Sequence, residues 1–285
     1  MILIADSGST KTSWCVINSD MNYTYIETSG LNPCLQAENV ILDELQTNLC
    51  PQINCEIKQI FYYGTGVTAE KQVVMTEILK KVFLSATTVE AYSDLLGSAR
   101  SVCGNDAGIA CILGTGSNSC LFDGNNIIDA VNCGGYILGD EGSGAVLGRN
   151  LLNAFLKRDL SEKIHDDLVK NYNLSYGYIV EKVYKTPMPN TWMASFTKYL
   201  NENQNEPCIR KIIVESFEAF FAKNVEKYDN YKKYQVHFIG SIAYHFKPVL
   251  EEIAKSRGIA IGNIIQAPIT ELANYHKKHS KIDRF

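Results

Sequence analysis

Four turns rich in glycine, hydroxyl residues and acids are the places where this chain could do chemistry. The first, Asp6-Ser7-Gly8-Ser9-Thr10-Lys11-Thr12, follows a short apolar run. Tight hairpins of such residues expose several backbone N–H groups at one end, a nest suited to phosphate. Gly8 allows the turn, the hydroxyls of Ser9 and Thr10 add donors, and Lys11 adds a charge. Asp6, at the strand end, could hold a hydrated divalent cation near those phosphates. The spacing is not that of a Walker A loop, because Thr10 stands where glycine is needed. Gly114-Thr115-Gly116-Ser117-Asn118 offers a second cradle. It is no dinucleotide fingerprint, since a third glycine is missing and a strand follows. Each turn also reads as an ordinary hairpin.

Asp94 comes just after a strand-like run at 87–92 and opens a helical stretch. Ligands of α/β folds bind at such strand ends, and one placed carboxylate can accept the proton of an attacking hydroxyl. An Asp there is equally an N-cap, with Ser93 beside it. The densest segment is 134–144, with five glycines and the adjacent acids Asp140 and Glu141. Glycines allow close backbone approach, and the two acids could grip sugar hydroxyls or favour a helix N-terminus. Gly240-Ser241-Ile242-Ala243 joins a strand to a helix, where a glycine lets a flat ring lie against the backbone. His276-Lys277-Lys278-His279 reads as a solvated helix end, and Trp14 and Trp192 read as packing residues.

The elements needed to position these residues follow from periodicity. Strands are expected at 2–5, 13–17 and 23–28, an antiparallel meander, then at 59–63 and 87–92. Helices are expected over 36–49, with Val40, Ile41, Leu45 and Leu49 on one face, over 68–82, with Val73, Ile78 and Val82 inward, and over 94–102. A second meander follows at 107–113, 119–122 and 127–131, with a hairpin turn at 123–126. Its strand–turn–strand opening repeats that of the N-terminus 108 residues later, which implies an internal duplication. Further on, helices are expected at 142–156, 161–169, 175–183, 191–200 and 208–228, a strand at 234–239, a helix from Gly240, and a closing segment at 264–278. The division into domains falls after residue 104, giving 1–104 and 105–285, with the C-terminal tail free to pack back on the first.

Composition narrows the classes. The 285 residues carry 20% charged residues and a formal net charge of -4, which argues against a sequence-independent nucleic-acid partner. No stretch approaches the roughly 18 apolar residues of a membrane span, and residues 1–5 lack a basic leader, so a cytoplasmic protein with no membrane partner is expected. The nine cysteines are scattered, without CxxC pairs, which is no disulfide framework, and most of them, such as Cys15, Cys111 and Cys120, read as small buried hydrophobes.

In their order the turns resemble the actin-like (sugar kinase, heat-shock protein, actin) ATPase superfamily. They resemble most its branch of N-acetylglucosamine kinases and BadF/BadG-type ATPases. Asp6-Ser7-Gly8-Ser9-Thr10 matches a D/E-G-G-G-T loop with serines at two glycines, and Asp94-Leu95-Leu96-Gly97 a D-A-A-G-like catalytic segment. Gly114–Asn118 is a complete G-T-G-S-N. Residues 134–143 match G-G-W-G-x-x-x-G-D-E-G-S with Tyr136 for Trp, Ile137 for Gly and a shorter spacing to Gly139. Ile239-Gly240-Ser241-Ile242 matches G-G-S-V/I, and Ser29-Gly30-Leu31-Asn32 a sugar-binding loop.

The resemblance implies an α/β, two-lobed actin-like (ribonuclease H-like) fold, with duplicated mixed-sheet lobes around a central cleft. It implies ATP and Mg²⁺ as cofactors and an amino sugar as small-molecule substrate, most of all N-acetylglucosamine phosphorylated at C6, with glucosamine or N-acetylmuramic acid as alternatives. Asp94 would be the base and Asp6 the Mg²⁺ ligand through water. Gly8, Ser9, Thr10, Lys11, Gly114, Thr115, Gly116 and Ser117 would cradle phosphates, and Gly240 and Ser241 would border adenine. Asn32, Asn118, Gly135, Tyr136, Asp140 and Glu141 would bind sugar. Homodimers are common in the superfamily. Two other functions fit the same scaffold: an ATPase activating a 2-hydroxyacyl-CoA dehydratase, with Cys133 as an iron–sulfur ligand, and a non-catalytic sugar sensor.

Overall fold

The computed structural model describes residues 1–8 and 10–279, which fall into two compact units. The first holds Met1–Asp106, Gly124–Asn126 and the segment beginning at Ala267; the second holds Ala107–Asp123 and Ile127–Gln266. Ser9, expected to bind phosphate, lies outside the described residues.

In unit 1, β1 (Ile2–Ser7), β2 (Lys11–Ile17) and β3 (Tyr23–Ser29) form the antiparallel meander. Then come α1 (Glu38–Glu44), a π-helical turn (Leu45–Leu49), β4 (Gln59–Gly64), α2 (Ala69–Val82), β5 (Thr88–Ser93) and α3 (Asp94–Cys103). The sheet order is β3-β2-β1-β4-β5, with β1, β4 and β5 parallel. The central strand is buried on both sides, which is why its sequence is a continuous apolar run rather than an alternation. Leu3 and Ala5 face a core with Trp14, Tyr62, Ile41, Leu45, Met75 and Leu79, while Ile2 and Ile4 face the other side. Val40 and Val73, expected inward, are 49% and 60% exposed, because Ile41, Met75, Ile78 and Leu79 fill the buried faces of their helices.

Unit 2 repeats the plan with β6 (Gly108–Leu113), β7 (Ser117–Phe122) and β8 (Ile127–Asp129). Seven helices follow among the described residues: α4 (Gly135–Leu138), α5 (Gly144–Lys157), α6 (Glu162–Tyr172), α7 (Tyr176–Tyr184), α8 (Pro189–Ala194), α9 (Thr197–Glu202) and α10 (Pro207–Lys223). The unit is completed by β9 (Gln235–Ile239), α11 (Ser241–His245), α12 (Lys247–Ser256) and β10 (Ile261–Ile265). Its sheet order, β8-β7-β6-β9-β10, with β6, β9 and β10 parallel, matches the first strand for strand. The duplication inferred from two turns is therefore a duplication of topology.

Unit 2 also differs from the sequence reading. The single helix expected at 191–200 is two, α8 and α9, broken at Ser195 and Phe196. The strand β10 was hidden because Gly262 and Asn263 interrupt its apolar pattern. Both serve His237: a Cβ at Gly262 would lie 2.3 Å from its ring, and the Asn263 N–H donates to its Nδ1 at 2.9 Å.

The last helix, α13 (Ile269–His279), packs Ile269, Leu272 and Ala273 on the face of the unit 1 sheet that carries Ile2 and Ile4. His276 overturns the expectation of a wholly solvated helix end. It is buried, stacked on Phe61 at 3.7 Å, with Nε2 at 2.7 Å from the Tyr63 hydroxyl. Burial and the nearby Arg100 charge lower its pKa to about 3. All nine cysteines are free, and Cys15, Cys103, Cys111 and Cys120 are buried. Among the described residues, no helix is long and apolar enough to cross a membrane.

Candidate active site

In unit 1, Ser7, Gly64 and Ser93 stand in one row across the parallel strands. Asp6, Thr65 and Asp94 therefore collect at the carboxyl end of the sheet, the edge where α/β sheets bind ligands. Of the two residues at 93–94 that could cap the helix, Ser93 does so. Ser93 is the N-cap, its Oγ accepting the Leu96 N–H at 3.3 Å, and Asp94 is the first helical residue. Its carboxylate is thus released from capping, and Oδ2 accepts the Thr65 hydroxyl at 2.6 Å. The helix can approach this closely because of Gly97: a Cβ there would sit 2.8 Å from Tyr63.

Asp6 shares this edge. Burial pushes its carboxyl up to about 7, the Asp94 charge adds to the rise, and Lys11 opposes it. The two carboxyl groups thus stand close enough for the charge of Asp94 to act on Asp6. The Lys11 ammonium is paired with Glu27 on β3 at 2.6 Å, on the exposed side of the sheet. The β1–β2 turn is closed by Gly8 N–H donating to Lys11 O at 2.9 Å, and the Thr10 carbonyl accepts from Gly30 N–H at 3.0 Å.

Asn32 is brought to the same place. Its Oδ1 accepts the Cys34 N–H at 2.9 Å, and it packs on Gly66, where a Cβ would lie 2.1 Å from that oxygen. Gly66 has φ +79°, a conformation that favours glycine. Buried Ser7 ties the Asn32 loop to β1: its Oγ donates to Leu31 O and accepts Leu31 N–H, both at 3.1 Å.

Unit 2 brings several of its own expected residues together. The carbonyls of Gly114 and Thr115 accept the N–H groups of Gly144 and Ala145, at 2.8 and 3.1 Å, at the start of α5. Across a trans peptide the C=O and the next N–H point oppositely. The N–H groups of Thr115 and Gly116 therefore face away from α5, as an anion nest requires. Asp140 is 8% exposed, in a left-handed conformation (φ 52°). Burial and the neighbouring Glu141 raise its pKa, while the Ser117 N–H pulls against them. A Cβ at Gly116 would lie 3.0 Å from its carboxylate, so the turn and Asp140 touch. Gly240 (φ +117°) packs backbone to backbone on β6, where a Cβ would lie 2.2 Å from Leu113 O. This sets Gly240 and Ser241 beside the Gly114 turn.

Other expected residues are otherwise engaged. Glu141 pairs with Lys223 on α10 at 2.9 Å; burial would raise its pKa, but the Lys223 ammonium holds it low. Tyr136 packs against the unit 2 core, and its carbonyl accepts from Arg149 at 2.8 Å. Gly135 starts the short α4, and Asn118 Oδ1 accepts the Ser119 N–H at 2.9 Å. Thr65 and Gly66 were assigned no role from sequence, although a Gly-Thr-Gly run at a strand's end was their visible signal.

A crystal structure of a candidate N-acetylglucosamine kinase from Porphyromonas gingivalis shares 40% identity over 98% of this chain and 100% of its own, with a TM-score of 0.93. A candidate N-acetylglucosamine kinase from Chromobacterium violaceum shares the fold at 15% identity and a TM-score of 0.74, covering 96% of this chain and 98% of its own. So does MamK bound to AMPPNP, at 12% identity and 0.56, covering 98% of both chains. No protein-family model matches the chain, and no curated protein does.

Proposed function

The chain belongs to the N-acetylglucosamine kinase branch of the actin-like ATPase superfamily, and on that premise we propose that it transfers the γ-phosphoryl group of ATP to the C6 hydroxyl of N-acetylglucosamine. The observation that carries this reading is the gathering of Asp94, Asp6 and Asn32 at one sheet edge, with Asp94 freed from capping by Ser93.

Asp94 accepts the hydroxyl proton as the sugar oxygen bonds to the γ-phosphorus and the bond to the β-phosphate oxygen breaks, releasing ADP. By the resemblance Asn32 of unit 1 and Asp140 of unit 2 would contact the sugar, and so would Gly135, Tyr136, Asn118 and Glu141, each engaged within unit 2 as described above. Thr10 and the 114–117 turn hold phosphate oxygens, and Gly240 and Ser241 border the adenine. Catalysis of this kind rests on positioning and charge neutralisation. The crowded Asp6–Asp94 pair fits a divalent cation, because added positive charge relieves what raises the Asp6 pKa. Asp6 would hold Mg²⁺ through water, as the resemblance implies, and the ion would neutralise phosphate charge.

The test is ADP release at fixed Mg·ATP against a panel of hexoses and amino sugars, with a no-sugar control. Release strongest with N-acetylglucosamine is expected. Sugar-independent release would favour the dehydratase-activator type of ATPase, and no release a sensor or a sugar outside the panel. Asp94→Asn should lower kcat by roughly 10²–10⁴-fold and leave ATP binding nearly intact; near-wild-type turnover would remove Asp94 as the base.

A further inference from the structure

Gly64-Thr65-Gly66 belongs to none of the segments that carry the family resemblance, yet it touches three of them. The Thr65 N–H donates to Ser7 O on β1 at 2.9 Å, the Thr65 hydroxyl donates to Asp94 Oδ2 at 2.6 Å, and Gly66 lies against the Asn32 side chain. The backbone of this turn is held in place on its own account. Val67 N–H and Thr68 N–H donate to Gly64 O and Gly66 O at 3.3 and 3.1 Å, and the Cys34 thiol donates to Gly66 O at 3.1 Å. Thr65 therefore presents its hydroxyl from a fixed support.

We propose that Thr65 is the positioning residue for the reaction: it occupies Oδ2 of Asp94, so that Oδ1 is turned to the attacking hydroxyl. The proposal rests on the kinase reading for the identity of that hydroxyl. The chemistry favours such a device. A carboxylate at the first position of a helix can swing about χ1 and χ2, and a base must lie within hydrogen-bond reach of the proton it takes. A hydroxyl at 2.6 Å to a carboxyl oxygen is among the shorter hydrogen bonds of its kind. With Ser93 serving the helix N-terminus, Thr65 is the side chain seen to fix the direction of Asp94. The same turn sets the distance from Asp94 to Asn32, so base and sugar contact are registered by one three-residue segment.

The test compares Thr65→Val, which keeps the shape and removes the donor, with Thr65→Ser, which restores the donor. In sugar-dependent turnover Thr65→Val should lower kcat roughly 10- to 100-fold, the size of one hydrogen bond to a charged group, with KM for sugar and ATP within about twofold. Thr65→Ser should recover most of kcat. Crystal structures of both variants should show the Asp94 carboxylate turned from its wild-type direction in Val and retained in Ser. Thr65→Ala repeats the comparison if the valine is not accommodated. Wild-type kcat in Thr65→Val, a loss confined to KM, failure of serine to rescue, or an unmoved carboxylate each overturns the proposal. If wild-type protein phosphorylates no sugar, the kinase reading fails by itself, and the carboxylate direction in the variants alone decides the role of Thr65.

Discussion

Replacing Asp6 by Asn should stabilise the ligand-free protein at alkaline pH while removing its activity. Burial and the charge of Asp94 move the Asp6 carboxyl from its ordinary 3.8 to about 7. The folded chain thus binds this proton more tightly than the unfolded chain. Below about pH 4 both forms are protonated and Asp6 costs nothing. Between about pH 4 and 7 the unfolded chain has released its proton and the folded chain has not, so stability falls as pH rises. Above 7 the full penalty is present. At about 1.4 kcal/mol per pH unit it amounts to at most about 4 kcal/mol, reduced by water and ions because part of the Asp6 residue surface is exposed. Asn keeps the shape and removes the charge. Urea unfolding of wild type and Asp6→Asn from pH 4.5 to 8.5 should therefore show curves that nearly coincide at the acid end and separate up to pH 7, with Asn the more stable. In thermal melts the gap at pH 8 should be of the order of 10 °C. Sugar-dependent turnover of the same variant should fall sharply, since the carboxylate is proposed to hold Mg²⁺ through water. Equal stabilities at pH 8, or a gap that closes as pH rises, would refute the reasoning.

Further expectations follow from the packing. Gly240→Ala places a methyl 2.2 Å from Leu113 O at φ +117°, so strain of roughly 1–3 kcal/mol is expected; melting temperature should fall and KM for ATP rise, and wild-type values for both would refute the backbone contact. Gly66→Ala drives its Cβ to 2.1 Å from Asn32 Oδ1; KM for the sugar should rise about 10-fold or more by strain of the same order, with KM for ATP unchanged in steady-state assays. His276 is held at about 3 against an ordinary 6.5, so the folded chain binds fewer protons and stability, full above 6.5, is lost as pH falls toward 3. A His276→Phe variant should lack that contribution, of a few kcal/mol, in denaturation curves between pH 4 and 7; parallel acid losses in both proteins would exclude His276 as the source.

Much of this protein is legible in its sequence because the relevant information is local. Apolar runs bounded by Gly, Ser and Thr determine strand, turn, strand at both 2–17 and 108–122, and helix periodicity determines α2, α3, α5 and α10. The acids and turns proposed for phosphate and sugar chemistry are likewise visible as residue types at strand ends. What the tertiary structure alone decided are the partners brought from afar. Asp94 reads equally as a cap until Ser93 takes that duty and Thr65, 29 residues away, reaches its carboxylate. Glu141 looks like a free acid until Lys223 pairs with it, and His276 looks solvated until α13 lays it on Phe61. Strand β10 has no clean pattern of its own because Gly262 is there to admit the His237 ring. Periodicity reports how one segment faces a core. It carries no term for which side chain of a distant segment stands opposite, and that pairing sets the charge and direction of the groups that would react.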